Sequence, residues 1–545
     1  MSEALEADGG RHAAETLRRH DVDTLFTLSG GHLFPLYDGC VKAGIRLVDT
    51  RHEQTATFAA EGWAKVTRRP GAAALTAGPG VTNGVSAITS AYLNGTPMIV
   101  LAGRAPQSRW GSGSLQELDH VPIVASITKE ARTAFSSDQI PALVDSALRA
   151  ARQPHRGPAF VDIPLDAWGV ATVALPDPPL PHELSGAVPD ADAVHAIAKL
   201  LGEAERPVLM VGADVFWAHG EDALRALAEA ARVPVFANGL GRGLLPADHE
   251  LAFSRVRAAA FAEADLVVVA GTPLDFRLGF GRFGDARVVH LADTATGVAT
   301  RVELAAGAGG DLARMLADLA ETAGAFVRHA EHEAWVARLR DEEKARRARE
   351  VDDLAADATP IRPARVYGEL RRRLDRDAIV IGDGGDFVSY AGKYVDTYRP
   401  AGFLDPGPYG CLGTGSGYAL AAALAHPDRQ VVVMWGDGAL GFSLGDLDTL
   451  VRFGANVVGI VGNNGIWGLE KHPMQLIYGY DVVAELRPGT RYDEVMTALG
   501  GHGELVEEPG EIGPALDRAF AARGPSLVNV LTDPGDVYPR SSNLA

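Results

Sequence analysis

Short apolar runs recur along the chain, and each ends in a turn rich in glycine or polar residues. The clearest run is VVVMW at 431–435, which is followed by Gly436. A continuous, largely β-branched run of this length predicts a strand buried on both faces of a parallel sheet. Similar runs lie at 22–29, 45–49, 72–76, 157–164, 208–212, 233–237, 266–270, 288–292, 378–381 and 457–461. Because helical segments separate them, the pattern predicts an α/β protein with parallel sheets.

Two stretches interrupt this pattern. The segment 173–190 contains five prolines, and the segment 351–363 has no apolar periodicity. Both are expected to be connectors between domains. Three doubly wound parallel-sheet domains are therefore predicted, at residues 1–172, 190–330 and 360–545.

Composition narrows the range of partners. Lys and Arg total 51 and Asp and Glu total 70, which gives a net charge of −19. A chain this acidic is not expected to bind nucleic acid or an anionic membrane. Its two cysteines, Cys40 and Cys411, form no disulfide or zinc pattern. Since there is no signal-peptide core and no apolar run long enough to cross a bilayer, we expect a cytoplasmic protein.

Polar residues at the ends of two predicted strands provide oxygen ligands for a metal ion. GDG at 436–438 follows the strand 431–435, and GNN at 462–464 follows the strand 457–461. Parallel strands carry their carboxyl ends to one edge of the sheet, where open α/β proteins bind ligands. A carboxylate and an amide oxygen suit Mg²⁺. For these motifs alone, two ordinary strand-end turns are the alternative.

The GDG and NN pair resembles the metal–diphosphate motif of thiamine-diphosphate (ThDP) enzymes. In that family the aspartate, the second asparagine and a main-chain carbonyl hold the ion, which here implies Asp437, Asn464 and Ile466. RHEQ at 51–54 and GPGVTN at 78–83 resemble the pyrimidine-binding domain of the acetolactate synthase and pyruvate oxidase family. The resemblance covers nearly the whole chain. It implies a pyrimidine-binding, a central and a diphosphate-binding domain, with ThDP and Mg²⁺ as cofactors.

The resemblance assigns Glu53 to the pyrimidine half of the cofactor. A carboxylic acid at this place hydrogen-bonds the pyrimidine N1′ and favours the imino form that activates the thiazolium. Its position alone is equally compatible with an acidic residue favoured by the helix dipole at a helix N-terminus. Pro79 and Asn83, in the following turn, are expected to contact the same half of the cofactor.

The diphosphate half is expected at turns of the last domain. Backbone N–H groups at a helix start can hold phosphate, which implies the main chain of Gly385, Asp386 and Phe387. The segment around Leu412 resembles the one whose apolar side chain wedges between the two cofactor rings, so Leu412 is the expected wedge. Further cofactor contacts are assigned to Gly436, Gly438 and Ala439.

One side of the substrate pocket is expected in the first domain. SLQELDH at 114–120 resembles a family stretch with an aromatic–glutamine pair that faces the substrate from a neighbouring subunit. Here Leu115 replaces the aromatic residue, and Gln116 is retained as a catalytic candidate. Gly31 and His32, after the first predicted strand, are assigned to the same pocket.

The other side of the pocket is expected in the last domain. Leu469 and Glu470 stand where acetolactate synthases carry methionine and valine. Glu470 is a candidate general acid–base group for a neutral or thioester-linked substrate. The alternative is an outward-facing carboxylate paired with Lys471 or His472, because charged residues on short helices usually face water.

The central domain carries FAD, ADP or no ligand in this family. Glycine-rich segments follow two of its predicted strands and contain Arg242 and Arg277. Arg277 corresponds to an arginine that acetolactate synthases place near the flavin. The sequence has no GxGxxG motif followed by a ribose-binding carboxylate, and an empty scaffold is the alternative.

Three functions follow from these features. At Leu115, Leu469 and Glu470 the chain resembles the 2-hydroxyacyl-CoA lyases of this family more than the acetolactate synthases. This resemblance implies reversible cleavage of a short 2-hydroxyacyl-CoA to formyl-CoA and an aldehyde or ketone. The alternative is acetolactate synthase, which condenses two pyruvates. A non-catalytic scaffold would need neither Glu53 nor Asp437. The implied partners are an acyl-CoA or 2-keto acid substrate and further copies of the chain, in a homodimer or homotetramer with active sites at the interface.

Overall fold

The computed structural model describes residues 4–538. Its first unit has eight strands, β1 Ala4–Asp8, β2 Thr24–Thr27, β3 Arg46–Asp49, β4 Gly71–Leu75, β5 Met98–Arg104, β6 Ala131–Thr133, β7 Pro158–Pro164 and β8 Val170–Ala174. Its helices are α1 Gly9–Arg19, α2 Phe34–Ala43, α3 Glu53–Thr67, α4 Pro79–Leu93, α5 Val121–Val124 and α6 Ile140–Arg152. Six strands form a parallel sheet in the order β3-β2-β4-β5-β7-β6, and β1 pairs antiparallel with β8.

The second unit contains a five-stranded parallel sheet in the order β10-β9-β11-β12-β13. These strands are β9 Pro207–Val211, β10 Val235–Ala237, β11 Leu266–Ala270, β12 Arg287–Ala292 and β13 Ala306–Gly309. The helices are α7 Ala191–Glu203, α8 Ala213–Trp217, α9 Glu221–Ala231, α10 Arg257–Glu263, α11 Leu312–Ala323 and α12 His329–Leu354.

The third unit contains a six-stranded parallel sheet in the order β15-β14-β16-β17-β19-β18. Its strands are β14 Ile379–Asp383, β15 Phe403–Leu404, β16 Val431–Gly436, β17 Val457–Asn463, β18 His502–Val506 and β19 Ser526–Leu531. The helices are α13 Pro363–Leu370, α14 Asp386–Tyr394, α15 Thr414–Ala425, α16 Asp437–Phe442, α17 Leu447–Arg452, α18 Gly468–Tyr478, α19 Tyr492–Ala498 and α20 Ile512–Ala521.

The parallel sheets are covered on both faces, as the unbroken apolar runs predict. Leu25 and Phe26 are neighbours on β2, and their side chains pack into different hydrophobic cores. On β16, the neighbours Val432 and Val433 likewise pack into different hydrophobic cores. Alternate residues of a strand point to opposite faces, so a strand with both faces buried is apolar throughout. The predicted α/β class with three doubly wound sheets is confirmed.

Helices α3 and α15 join the first and third units. The rings of Phe58 and Tyr418 meet edge to face with centroids 6.1 Å apart. Beside them, Lys65 Nζ lies 2.8 Å from Glu61 Oε1 and donates to the Tyr418 hydroxyl at 2.8 Å. Both side chains of this ion pair are buried, so the contact between the units combines apolar packing with a desolvated salt bridge.

One helix is longer than the pattern predicts. Helix α12 continues to Leu354, four residues into the expected connector at 351–363. Trp335 and Leu339 bury their side chains against the central unit, and Glu343 accepts hydrogen bonds from the backbone N–H groups of Arg255 and Val256. These tertiary contacts extend a helix that local periodicity alone does not define. Within residues 4–538, no helix is both long and apolar enough to cross a bilayer.

Candidate active site

Asp437 and the turn after β17 lie against each other at the carboxyl edge of the third sheet. Strands β16 and β17 are adjacent and parallel, with Gly436 opposite Gly462. Asp437 Oδ2 accepts a hydrogen bond from Gly465 N at 2.9 Å, and Oδ1 accepts one from Gly438 N at 3.0 Å. Strand pairing therefore brings together the two motifs that lie 27 positions apart in the sequence.

The Asp437 carboxylate is 3% exposed. Among the described residues it forms no ion pair with a Lys, Arg or His. Burial raises the pKa of Asp437 to about 6, while the backbone N–H groups of Gly465 and Gly438 oppose the shift. A divalent cation at this position would offset the cost of burying the charge.

Asn464 belongs to the same turn, and its Oδ1 accepts a hydrogen bond from Ile466 N at 3.2 Å. This amide oxygen and the Asp437 carboxylate are oxygen donors, as Mg²⁺ requires. The preceding Asn463 has a different environment. Its side chain donates to Thr490 O and to Asn529 Oδ1, and it is buried behind the turn. The residues present fit a magnesium ion held by Asp437, Asn464 and the Ile466 carbonyl.

The turn after β14 lies beside this metal corner. Helix α14 begins at Asp386 without a side-chain cap, so its first N–H groups need acceptors from outside the helix. Gly384 has φ +143°, and a Cβ built on it would lie 3.0 Å from Gly436 N. The Asp386 side chain is held from the C-terminal segment, since its Oδ1 accepts a hydrogen bond from Tyr538 N at 3.2 Å. The arrangement fits a diphosphate bound by main-chain N–H groups.

Side chains pack tightly behind this corner. A Cβ built on Gly462 would meet the Phe387 ring at 2.3 Å, and one on Gly438 would meet the Trp467 ring at 2.4 Å. Trp467 also meets Phe442 edge to face, with centroids 6.4 Å apart. Sequence reasoning did not single out Trp467. Its position three residues after Asn464 was the available signal.

A cavity of about 1440 Å³ opens between the central and third units. It brings together several residues predicted from the sequence, namely Gly385, Leu412, Leu469, Glu470, Arg242 and Arg277. Leu469 lies against the diphosphate turn, since a Cβ built on Gly385 would be 2.8 Å from its Cδ1. Within the described chain, the lining contains none of the predicted residues of the first unit.

Glu470 lines the mouth of this cavity and is exposed. The neighbouring Lys471 pairs with Glu485 and lies 3.8 Å from Asp481 Oδ1. Among the described residues, Glu470 forms an ion pair with neither Lys471 nor His472, so the alternative pairing is not observed. Glu470 is free to face a ligand in the cavity, although its function as an acid–base group stays a prediction.

The two arginines assigned to a nucleotide have partners within the protein. Arg242 donates from Nη2 to Gly392 O at 2.9 Å, and its guanidinium lies 4.5 Å from the centroid of the Phe403 ring. Arg277 forms a two-point ion pair with Asp275, with Nη2 and Oδ2 2.7 Å apart. Arg242 thus joins the central and third units, and Arg277 is held beside its own turn.

The pyrimidine-side residues gather at the carboxyl edge of the first sheet. Glu53 begins α3, is 7% exposed, and its Oε2 accepts a hydrogen bond from Asn83 Nδ2 at 3.0 Å. A Cβ built on Gly80 would lie 3.6 Å from Glu53 Oε1. Because Asn83 holds the carboxylate directly, the structure gives it a role toward Glu53 besides the predicted contact with the cofactor. Pro79 is at the start of α4, beside this pair.

A buried histidine supports the neighbouring turn. His120 Nε2 accepts a hydrogen bond from Gly78 N at 2.9 Å, and Nδ1 donates to Asp162 Oδ2 at 2.9 Å. Since Nε2 is the acceptor, the proton lies on Nδ1. A Cβ built on Gly78 would be 3.0 Å from Gln116 Cβ, so His120 holds the turn on which Gln116 packs.

His32 and Leu115 occupy different environments. His32 is buried, with Nδ1 3.4 Å from Thr76 Oγ1. Burial, together with the nearby His120, lowers the pKa of His32, so the neutral imidazole is favoured. Leu115 is 80% exposed. A Cβ built on Gly31 would have no atom within 4 Å, so the space beside Gly31 is open.

A second cavity of about 360 Å³ lies at the carboxyl edge of the central sheet. His155 from the first unit reaches into it, with Nδ1 3.1 Å from Asp293 Oδ2 and 3.4 Å from Asp214 Oδ1. Burial lowers the pKa of His155, but the two carboxylates outweigh this effect and raise it to about 9. Sequence reasoning missed this cluster. Its only signal was that Asp214 and Asp293 follow predicted strands.

Comparisons with known proteins agree with this geometry. Profiles described as the thiamine pyrophosphate enzyme N-terminal TPP binding, central and C-terminal TPP binding domains match residues 7–123, 194–319 and 383–530. The acetolactate synthase large subunit IlvG of Mycobacterium tuberculosis is 54% identical, with 98% of both chains covered. The 2-hydroxyacyl-CoA lyase 2 of Caenorhabditis elegans is 33% identical, covering 97% of this chain and 90% of the relative.

Human 2-hydroxyacyl-CoA lyase 2 is 32% identical, with 94% of this chain and 87% of the relative covered. The three domain profiles match the chain in the order that the sequence motifs imply, and each of these relatives is matched over at least 87% of its length. The chain therefore belongs to the thiamine pyrophosphate enzymes and is a ThDP-dependent carbon–carbon lyase or carboligase.

Proposed function

We propose that the protein is an acetolactate synthase-type carboligase, which condenses two pyruvates to acetolactate and releases CO₂, with ThDP and Mg²⁺. The observation that carries the cofactor part of the proposal is the metal corner, where the buried Asp437 carboxylate meets the Asn464 turn beside the start of α14, whose N-cap is Gly385. The 54% identity to IlvG over 98% of both chains supports this reaction over the lyase reaction that the sequence motifs favour.

The roles of the residues follow from their positions. When bound, ThDP supplies a nucleophilic thiazolium carbon that adds to a carbonyl and stabilises the charge left when the adjacent carbon–carbon bond breaks. Asp437, Asn464 and the Ile466 carbonyl hold Mg²⁺, and the N–H groups of Gly385 to Phe387 bind the diphosphate. Leu412 fills the space between the cofactor rings. Glu53 hydrogen-bonds the pyrimidine, and Asn83 orients it.

We infer that a second copy of the chain completes the site. The cavity that contains Leu412, Leu469 and Glu470 is lined, among the described residues, by the central and third units of one chain. Of the pyrimidine-side segment, Gln54 reaches Leu412 O at 3.4 Å in the same chain, but Glu53 does not line the cavity. Exposed apolar residues support the inference, because Leu476 and Ile477, on the helix α18 that also carries Glu470, are 88% and 63% exposed, and Val483 is 96% exposed. A homodimer, or a homotetramer built from two of them, would bring Glu53 of one copy to the metal corner of another.

A second candidate is cleavage of a short 2-hydroxyacyl-CoA to formyl-CoA and an aldehyde or ketone. One observation favours it. Three basic side chains that line the large cavity, Arg257, Arg282 and Arg349, form no ion pair among the described residues, whereas Arg255, Arg277, Arg346, Arg347 and Lys393 are paired with carboxylates. Such a lining suits the phosphates of a CoA thioester better than pyruvate alone. In this reaction Glu470 would take and return the proton of the substrate hydroxyl.

The second cavity is the proposed place for an adenine nucleotide or flavin. Asp214, Thr272 and Asp293 follow three neighbouring strands of the central sheet and line it, and carboxylates there suit ribose hydroxyls. Release of FAD or ADP from heat-denatured purified protein would support this assignment. Protein that is free of nucleotide, and stays so after incubation with FAD or ADP, would contradict it.

The two reactions are separated by product analysis. The protein is incubated with ThDP and Mg²⁺, once with pyruvate and once with a 2-hydroxyacyl-CoA, beside the Glu470→Gln variant. Acetolactate from pyruvate supports the first proposal. Formyl-CoA formation that Glu470→Gln abolishes supports the second, and the absence of both products would favour the scaffold alternative.

A further inference from the structure

Asp383 is a buried carboxylate that none of the roles above uses. It ends β14 and is 0% exposed. Its Oδ1 accepts a hydrogen bond from Gly413 N at 3.0 Å, and its Oδ2 accepts one from Gly415 N at 2.8 Å. The first of these amides belongs to the residue that directly follows Leu412.

The contact takes the place of a helix cap. Helix α15 begins at Thr414, and its N-cap residue is Gly413, which has no side chain to accept from the first turn. A residue 30 positions earlier provides the acceptor instead. Because both oxygens bind amides of the same turn, Asp383 fixes the position and the orientation of the turn together.

The surroundings leave the turn little freedom. Gly413 has φ +84°, and a Cβ built on it would lie 2.7 Å from Phe442 Cβ. A Cβ on Gly415 would lie 2.3 Å from Trp435 Nε1 and 2.9 Å from Asp383 Oδ2. Glycine at 415 lets the backbone approach the carboxylate, and glycine at 413 supplies the left-handed backbone conformation of the turn. Leu412, one residue before this clamp, lines the large cavity.

We propose that Asp383 is a positioning residue that holds the Leu412 turn, so that the Leu412 side chain keeps its place between the cofactor rings. The inference rests on the wedge role proposed for Leu412. It predicts that the loss of Asp383 impairs the activation of bound ThDP more than the binding of ThDP, because Asp383 reaches the site only through the turn.

The test compares Asp383→Asn with Asp265→Asn. Asp265 also accepts two backbone amides, from Glu205 N at 2.7 Å and Arg206 N at 2.9 Å, but it lies in the central unit away from the cavity. In Asp383→Asn the new amide group would face one of the two N–H donors, so one hydrogen bond is lost. We expect turnover, and the rate of C2–H exchange of bound ThDP into D₂O, to fall about 10- to 100-fold. ThDP affinity should change less than about threefold, and Asp265→Asn should be unaffected.

A double variant makes the proposal falsifiable. If Asp383 acts through Leu412, then Asp383→Asn combined with Leu412→Ala should be no slower than Leu412→Ala alone. Additive losses would overturn the inference. If Leu412→Ala alone leaves the exchange rate unchanged, the wedge role itself is wrong, and a slow Asp383→Asn would then also overturn the inference.

A variant at the turn covers the case in which Asp383→Asn does not fold. Gly413→Ala keeps the carboxylate but displaces the turn, because of the positive φ and the Phe442 contact. We expect the same pattern of slow C2–H exchange with retained ThDP affinity. Normal exchange in a folded Gly413→Ala protein would overturn the proposal.

Discussion

Asn83 donates a hydrogen bond from its side-chain amide to the Oε2 oxygen of Glu53 at 3.0 Å, across the start of two neighbouring helices of the first unit. Helix α3 begins at Glu53 and α4 begins at Pro79, and each follows a strand of the same sheet. The motifs RHEQ and GPGVTN therefore act together. RHEQ contains the Glu53 carboxylate, and GPGVTN contains the Asn83 amide that fixes the direction in which the carboxylate points.

Replacing Glu53 should reduce catalysis without preventing ThDP binding. Glu53→Gln keeps the size of the side chain but removes the acid that hydrogen-bonds the pyrimidine, so we expect turnover to fall by about 10²-fold or more. Steady-state kinetics and ThDP titration would measure the two effects. Glu130→Gln, in the same unit but bonded to Ser146, is the matched control. Near-normal turnover of Glu53→Gln with ThDP bound would contradict the assignment.

Replacing Asp437 should weaken the metal site. Asp437→Asn removes the charged ligand while the backbone contacts of the turn remain possible, and we expect the Mg²⁺ concentration for half-maximal ThDP binding to rise about 10- to 100-fold. The control is Asp448→Asn. Asp448 lies on α17 and pairs with Arg51, and its replacement should leave this Mg²⁺ concentration unchanged. An unchanged Mg²⁺ requirement in Asp437→Asn would rule out this ligand.

Breaking the buried pair between α3 and α15 should destabilise the protein. The Lys65 and Glu61 side chains are 3% and 0% exposed, so Lys65→Met leaves an uncompensated carboxylate in the interior at a cost of about 3–5 kcal/mol. Urea denaturation would show this as a lower midpoint. The double variant Glu61→Gln/Lys65→Met should recover most of the loss. If Lys65→Met alone is as stable as the native protein, the pair is not desolvated as described.

Stability should fall at alkaline pH through His155. The hydrogen bond to Asp293 and the charge of Asp214 raise its pKa to about 9 in the folded protein, above the ordinary 6.5. The folded state therefore keeps the His155 proton to higher pH than the unfolded chain does. The contribution of this proton to the free energy of unfolding is fully present below about pH 6.5 and is lost as pH rises through about 9.

The expected loss is about 1 kcal/mol, because half of the imidazole is exposed, 49%, and solvent screens the pairs. Urea midpoints measured from pH 6.5 to 9.5 would detect it. His155→Gln should lack this part of the pH dependence. Parallel curves for the native protein and His155→Gln would show that the cluster does not hold the proton.

Much of the fold could be predicted from local patterns. The run 431–435 and the run 457–461 are the strands β16 and β17, and their GDG and NN turns meet as expected because adjacent parallel strands end at one edge. The start of α3 was less well placed. Local periodicity predicts a helix over residues 56–66, but α3 begins at Glu53, because the His52 side chain caps it by accepting from Gln54 N, which hydrophobic periodicity does not reveal.

The sequence by itself determined where most strands lie along the chain, the α/β class and the chemical groups at each turn, since these depend on which residues are apolar and on residues near each other in the chain. Only the tertiary structure decided which of those groups meet. Asp383 binds the turn after Leu412, Asn83 binds Glu53, and His155 enters the central unit. The physical reason is that a hydrogen bond depends on distance and direction in space, and for residues far apart in sequence these are set by how helices and sheets pack.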